Sequence, residues 1–221
     1  MASRWGTGRI EAFSDGVFAI ALTLLVFDLV VPPSAFDNLW RGIAHEWPSY
    51  LAYLTSFITI GGLWMAHLGI FRRLQSANPA IMRLNLLVLM GVAFLPFPTG
   101  LMAKAIRDTN AERAAVVFYG MTLLVISILF RALWDAIVRH PELLDPNVTT
   151  EEIRPIRRAA MPNIGLYAAV VAVALLFPQA AVFGYLIIAT VAVWRAHGDE
   201  SPSGRRARPP RSEPDRSGRA G

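Results

Sequence analysis

The chain carries, from Arg9 to Val31, the run RIEAFSDGVFAIALTLLVFDLVV. Its apolar part is as long as a membrane-spanning helix, which needs about 20 residues to cross about 30 Å of hydrocarbon. The run also holds Asp15 near its start, Asp28 near its end and Thr23 between them. Such polar groups are costly in hydrocarbon, and a plain membrane anchor needs none of them. The run therefore predicts a helix that faces water or protein along part of its surface.

Similar apolar runs recur along the chain. Of its 221 residues, 54% are hydrophobic and only 17% are charged, which is unusual for a soluble domain. Strand-like alternation of apolar and polar residues is absent. The pattern predicts an all-α, polytopic membrane protein with six transmembrane helices and no separate soluble domain. We place the six spans at about 16–31, 48–71, 84–103, 114–130, 161–177 and 179–194, with a tight turn at 177–179 between the last two.

The basic residues predict the orientation of these spans. If the N-terminus is cytoplasmic, the only basic residues in the outer loops, out of 21 in the chain, are Arg41, Lys104, Arg107 and Arg113. Cytoplasmic loops are enriched in Lys and Arg, so we expect a multi-pass protein of the cell membrane with both termini in the cytoplasm.

The end of the chain differs in composition from the rest. Residues 196–221 are rich in Pro, Arg, Ser and Gly and contain almost nothing apolar. We expect a disordered basic C-terminal tail there, after a six-helix unit over residues 1–195. The arginines of the tail either lie on anionic lipid headgroups, which makes membrane lipid a partner, or are simply solvated.

Several kinds of site and partner are not expected. The chain has no cysteine, which excludes disulfides and thiolate metal sites. His45, His140 and His197 lie in predicted loops or the tail, and their spacing does not suggest a metal site. Most of the net charge of +5 lies in loops where membrane insertion explains it. We therefore expect no metal, no cofactor and no nucleic acid.

A helical wheel at about 100° per residue gives the first helix one apolar seam. Thr23 lies beside this seam, about 60° from Ile20, whereas Asp15 points about 140° away. In a monomeric bundle the seam would be core packing, and in an oligomer whose first helices meet on the axis it would surround a pore. The residues alone leave both open. The bulky side chains within about 40° of Ile20 are Phe13, Leu24, Phe27 and Val31.

Three segments carry motifs of a known family. They are RxxxFSD at 9–15 followed by GVFAIALTLL, LWMAH at 63–67 with FRR at 71–73, and NLL at 85–87 leading to FLPFPT at 94–99. Together they resemble the transmembrane protein 175 family, the lysosomal potassium channels of animals and their bacterial and archaeal relatives. The likeness spans nearly all of residues 9–195, and one six-helix unit per chain makes it similar to the prokaryotic members.

The resemblance implies a homotetramer in which four copies of the first helix line the path of potassium ions. In the family, large apolar side chains close that path five residues after the aspartate of the motif, which is Ile20 here. Leu24 and Phe27, one and two turns further on, would form the next layers of this constriction and gate. Thr23 matches a position where family members carry a hydroxyl implicated in selectivity.

The chain has no TVGYG filter, so a pore would have to discriminate with side chains. A narrow apolar ring forces an ion to shed water, and potassium holds its water less tightly than sodium. Hydroxyls of Thr23 can replace part of that water, and the apolar ring can close by dewetting. We expect a modest preference for potassium.

Other motif residues need not touch the ion. A lone Asp15 carboxylate near the cytoplasmic boundary would be expensive, so we expect it to have a partner among Arg9, Trp64, His67 and Asn85. A histidine in a helix, such as His67, is more often a packing residue than a ligand. Asp28 either concentrates cations at the outer mouth or is a plain interfacial acid. The structural motif that clamps the pore helix would consist of Arg9, Phe13, Ser14, Asp15, Trp64, His67 and Asn85.

A secondary transporter is the alternative function. Pro96 and Pro98 could break the third span, but they fall toward its outer end, and the two halves show no clear repeat. An enzyme would need a nucleophile and base or paired acids at membrane depth, and Asp15 with His67 is too little for hydrolysis. We therefore expect no enzymatic activity. A purely structural membrane protein would leave Thr23 and Asp28 less well explained.

Overall fold

The computed structural model describes residues 5–105, 111–146 and 164–198, and nearly all of them are helical. Short 3-10 helices cover Leu25–Asp28, Pro33–Asn38 and Pro141–Leu143, and a two-residue strand β1 (Trp5–Gly6) pairs with β2 (Ser76–Ala77). The predicted all-α class is confirmed, and this pairing of two residues with two is a small addition to it. The α-helices in these ranges are α1 (Thr7–Leu24), α2 (Leu39–His45), α3 (Trp47–Phe71), α4 (Pro79–Phe94), α5 (Pro96–Ala105), α6 (Glu112–Val138), α7 (Ile164–Leu176) and α8 (Pro178–Gly198).

Within the described residues, four segments are long and apolar enough to cross a membrane, and they correspond to the first four predicted spans. The last two apolar helices, α7 and α8, are shorter, and the predicted start of the fifth span at 161–163 lies outside the described residues. Six spans therefore stays a prediction. The four long segments are Thr7–Asp28, Trp47–Phe71, Pro79–Ala105 and Glu112–Val138.

The first span ends earlier than the sequence suggested. After α1 the chain tightens into the 3-10 turn that ends at Asp28, and Leu29, with ψ at 79°, leaves the helix. Val31 thus lies beyond the helix, and its predicted place on the apolar seam was wrong. At the other end of the chain, α8 continues to Gly198, and the rest of the predicted tail lies outside the described residues.

Capping and proline residues determine where α4 begins and where it gives way to α5. The side chain of Asn78 accepts a hydrogen bond from the Ile81 amide at 2.9 Å, and Pro79 occupies the first turn, where its missing N–H has no partner to lose. Pro96 interrupts the span after Leu95, whose φ of −54° and ψ of −37° stay helical. The backbone therefore stays helical from α4 into α5, and the two helices form one continuous span.

The turn between the last two helices is confirmed. α7 ends at Leu176, Phe177 lies outside both helices, and α8 begins at Pro178. Proline is favourable at the first position of a helix and cannot continue the preceding one, which explains the sharp break.

Helices α3 and α6 form the centre of the bundle, whereas α1 lies at its edge. α3 packs against α1, α5 and α8, and α6 packs against α4, α5 and α7. α1 buries only the narrow face of Ser14, Phe18 and Ala21, against α3 and α4. In its span 22% of the residues are buried, compared with 44–50% in the other three long spans. Most of the surface of α1 is therefore uncovered within the chain.

A buried group of hydroxyls joins the centre of the bundle to α5. Ser56 Oγ on α3 lies 2.8 Å from Thr99 Oγ1 on α5 and 3.0 Å from the Tyr119 hydroxyl on α6. All three side chains are fully enclosed. Hydrogen bonds between helices add stability where lipid offers no polar partner, so this group helps hold the three helices in register.

Gly120 on α6 marks a very close helix approach. A Cβ atom there would lie 1.9 Å from the Tyr185 hydroxyl oxygen on α8 and 2.7 Å from a methyl group of Val171 on α7. Both distances are far below van der Waals contact, so only glycine lets these helices pack as they do.

We expect Gly120→Ala to destabilise the detergent-purified protein by about 1–3 kcal/mol, because overpacking forces neighbouring side chains and backbone apart. Thermal melting followed by circular dichroism measures the change. The matched control is Gly61→Ala inside α3, where an added Cβ meets no atom within 4 Å, so this variant should not lower the melting temperature. Equal melting temperatures for the two variants would contradict the expectation.

Candidate functional site

The apolar seam of α1 lies uncovered on the surface of the chain. Phe13 is 57% exposed, Ile20 60%, Leu24 42% and, in the turn after α1, Phe27 74%. Core packing within a single chain, one of the two interpretations open from the sequence, is therefore excluded for these four side chains. Lipid or another copy of the chain remains to cover them.

Thr23 adds a hydroxyl beside the seam. Its side chain is exposed, and Oγ1 donates a hydrogen bond to the carbonyl of Ile20 at 2.8 Å. This bond uses the single hydroxyl hydrogen, so the oxygen keeps lone pairs that can accept from water or coordinate a cation. The hydroxyl is thereby held one turn above Ile20 on the same side of the helix.

A buried polar chain holds the inner half of α1 against its neighbours. Ser14 Oγ donates to the Ile10 carbonyl at 2.8 Å and accepts from Asn85 Nδ2 on α4 at 3.1 Å. Asn85 Oδ1 lies 2.8 Å from Nε2 of His67 on α3. Because this oxygen can only accept, Nε2 of His67 carries the proton in this arrangement. We call Ser14, Asn85 and His67 the buried tie.

Aromatic rings enclose the imidazole of the buried tie. His67 stacks on Phe71 with ring centroids 4.3 Å apart, and Phe18 of α1 lies at 5.4 Å in a tilted arrangement. Its side chain is 1% exposed. A histidine with one hydrogen-bond partner and two aromatic neighbours is suited to packing, which favours that interpretation over a ligand or proton relay.

A second tie joins α1 directly to α3 at the surface. Trp64 Nε1 on α3 donates to Asp15 Oδ1 on α1 at 2.8 Å. Of the four partners suggested for Asp15 by the sequence, Trp64 is the one whose side chain bonds to it. Asn85 bonds to Ser14 instead, and His67 bonds to Asn85. Arg9 is exposed and has no hydrogen-bond or ion-pair partner in the described part of the chain.

The motif therefore divides into two groups. Ser14, Asp15, Trp64, His67 and Asn85 meet in the two ties, one buried and one at the surface. Arg9 and Phe13 face outward on the same side as Ile20, and within the chain they take no part in the ties. Spacing along one helix does not distinguish the two groups unless the neighbouring helices are known.

Asp28 at the other end of the span is only half-buried and packs on α5. A Cβ added to Gly100 would lie 2.5–2.8 Å from the carboxyl atoms of Asp28, so the carboxyl group rests directly on the glycine. The positive charge of Lys104, one turn further along α5, acts on the same carboxylate. The sequence did not predict Gly100 or Lys104 as neighbours of Asp28, because their proximity depends on how α5 packs.

We expect Asp15→Ala to destabilise the protein by about 1–2 kcal/mol, because it removes the acceptor for the Trp64 indole. Asp15→Asn keeps an oxygen acceptor and should lose less than half as much. Trp64→Phe combined with each variant gives a double-mutant cycle from melting curves, which isolates the pair. Detergent-stable assemblies of Asp15→Ala that melt like the wild type would contradict a clamping role.

Comparisons with known proteins agree on one family. Residues 9–96 match the family described as endosomal/lysosomal potassium channel TMEM175, and this region contains the seam and both ties. A potassium channel of Streptomyces collinus is 42% identical over 161 residues, which cover 72% of this chain and 78% of the relative. A potassium channel of Chamaesiphon minutus is 42% identical over 164 residues, covering 73% and 80%.

A solved structure shares the architecture as well. The crystal structure of a lysosomal potassium-selective channel TMEM175 homolog from Chamaesiphon minutus superimposes with a TM-score of 0.75 at 36% identity, covering 86% of this chain and 97% of that one. Both sequence and fold are thus similar over most of the two chains. The chain belongs to the TMEM175 family as a prokaryotic member, as the motifs on its first three spans predicted.

Proposed function

We propose that this protein is a potassium-permeable cation channel of the cell membrane, assembled as a homotetramer with α1 lining a central pore. Each chain crosses the membrane six times and keeps both termini in the cytoplasm. The six-helix unit was predicted to end at residue 195, but α8 extends it to Gly198, and the remainder of the predicted 196–221 segment forms a basic tail. The family membership and the bacterial relatives named potassium channels support this proposal.

The single observation that carries the proposal is the uncovered seam of α1. Four bulky apolar side chains project from a helix whose opposite face is held by two polar ties. Four such helices meeting on an axis would place Ile20 in a ring, with Leu24 and Phe27 forming further rings toward the outside. A lipid-facing seam would not need a hydroxyl at Thr23 or an acid at Asp28.

Such a ring selects ions through the cost of dehydration. No carbonyl cage is available, so an ion that passes Ile20 gives up part of its water without full replacement. Potassium loses water more readily than sodium, and four Thr23 hydroxyls offer partial compensation. When the ring narrows, water leaves it, and the same side chains act as the gate.

Charge at the outer end would support conduction. In the tetramer four Asp28 carboxylates would raise the local cation concentration at the outer mouth. Their partial burial against α5 and the nearby Lys104 moderate this field. The two ties, formed by Ser14, Asp15, Trp64, His67 and Asn85, would clamp α1 and maintain the pore without contacting the ion. Arg9 and Phe13 take no part in the ties and lie on the side of Ile20.

Reconstitution in liposomes tests the proposal directly. Purified protein should carry potassium down its gradient faster than sodium, and planar bilayers should show unitary currents. Saturable flux that needs a co-substrate, without unitary currents, would instead support a secondary transporter. The absence of any ion flux from properly assembled protein would overturn both.

We expect Ile20→Asn to raise potassium conductance severalfold and to lower the potassium-over-sodium ratio, because a polar ring stays hydrated. Bilayer currents under bi-ionic conditions measure both quantities. The matched control is Val26→Asn, at another exposed apolar residue about 120° from Ile20, which should leave both quantities at their wild-type values. Currents of Ile20→Asn identical to the wild type would remove Ile20 from the constriction.

We expect Thr23→Val to reduce the potassium-over-sodium ratio while Thr23→Ser preserves it. Valine keeps the shape of threonine but removes the oxygen that would replace lost water, whereas serine keeps the oxygen. Reversal potentials measured for the two variants in the same bilayers provide the comparison. A ratio that follows side-chain size instead of the hydroxyl would refute the role of Thr23.

A further inference from the structure

Three segments at the cytoplasmic side are joined by backbone hydrogen bonds. The strand β1, just before α1, pairs antiparallel with β2 in the loop between α3 and α4, with Trp5 opposite Ala77 and Gly6 opposite Ser76. Ala77 is fully buried. The pore helix thus begins at a residue that is already paired with another part of the chain.

The same loop continues the pairing toward the end of α6. The Gln75 amide donates to the Leu143 carbonyl at 2.9 Å, and the Asp145 amide donates to the Arg73 carbonyl at 2.9 Å. Leu74 pairs with Leu144 between them in an isolated bridge. We call residues 5–6, 73–77 and 143–145 the cytoplasmic belt.

The start of α1 has no capping side chain, and the cytoplasmic belt positions it instead. Gly6 is the N-cap of α1 and has no side chain to cap the helix, and the first turn has no acidic residue. Helix N-termini ordinarily depend on such groups for their free amides and for their position. Here the direction of entry into α1 depends on the pairing of β1 with β2.

A second contact lies at a matching height. Ser14 is eight residues after Gly6, the N-cap of α1, and Asn85 is seven residues after Asn78, the N-cap of α4; the side chains of Ser14 and Asn85 bond at 3.1 Å. Both helices therefore run in the same direction, joined by the belt and again about 10 Å along their axes. Two attachments at different heights fix both the tilt of α1 and its rotation about its own axis.

We propose that the cytoplasmic belt is the positioning element that sets the rotation of α1 and so directs Ile20 and Thr23 into the ion path. This rests on the proposed function. The α3–α4 loop is the shared member, since it holds β1 on one side and the segment after α6 on the other. A displacement of residues 143–145 is thereby transmitted to the pore helix.

The test breaks the mechanical continuity between the belt and α1 without removing either. Two glycines are inserted between Gly6 and Thr7, and the matched control carries the same insertion between Arg4 and Trp5, upstream of the belt. Because the chain has no cysteine, Ile20→Cys can be added to both as the only thiol. The rate at which a trimethylammonium-ethyl methanethiosulfonate reagent modifies this thiol reports the rotation of α1.

The insertion after Gly6 should change the modification rate at least about threefold relative to the control, within the range found for coupling through packed networks. In chains that retain Ile20, it should also lower the potassium-over-sodium flux ratio. Rates and ratios equal to the control would overturn the positioning role. If the wild type carries no potassium, the proposed function fails, and the modification rate still decides the role of the belt.

A disulfide provides a test that does not depend on the insertion. Gly6→Cys with Ser76→Cys are opposite residues in the ladder, a separation that a disulfide can span. Oxidation should link most chains and leave the flux ratio at or above its value in the same protein after reduction. Failure to cross-link, or a ratio that falls on oxidation, would show that this pairing does not hold α1 in its conducting position.

Discussion

The rest of the structure depends on the small size of the face that α1 buries within its own chain. One narrow face is buried against α3 and α4, and the buried tie of Ser14, Asn85 and His67 attaches it. Unlike apolar packing, which tolerates rotation of a helix, directed hydrogen bonds to two helices specify one orientation. That orientation leaves the seam on the outside, where only lipid or another copy can cover it.

The rest of the bundle supports this attachment. α3 supplies both His67 and Trp64 to the ties and is itself held by α5, α6 and α8 through packing and the hydroxyls around Ser56. The tie at Asp15 uses an acceptor that remains partly exposed, which avoids the cost of a fully buried carboxylate. A rigid bundle thus presents one weakly enclosed helix, the arrangement expected if that helix lines a shared pore.

Much of this architecture could be predicted from the sequence. The long apolar runs predicted the first four spans, Pro178 predicted the last turn, and the period of α1 placed Phe13, Ile20, Leu24 and Phe27 on one side. These features depend on helix geometry and on the length of apolar segments, which act locally. The prediction that the seam extends to Val31 was wrong because the 3-10 turn at Asp28 ends the helix. The helix propensities of these residues do not indicate that ending.

The sequence by itself determined the membrane class, the family motifs and the set of polar residues near α1. Only the tertiary structure decided which of them meet: Asp15 with Trp64, Ser14 with Asn85, Asp28 with Gly100, and β1 with the α3–α4 loop. The physical reason is that hydrogen bonds and close contacts act over a few ångströms. Partners that lie 49 to 71 residues apart in the chain meet because of how the helices pack, and the sequence around each partner does not specify that packing.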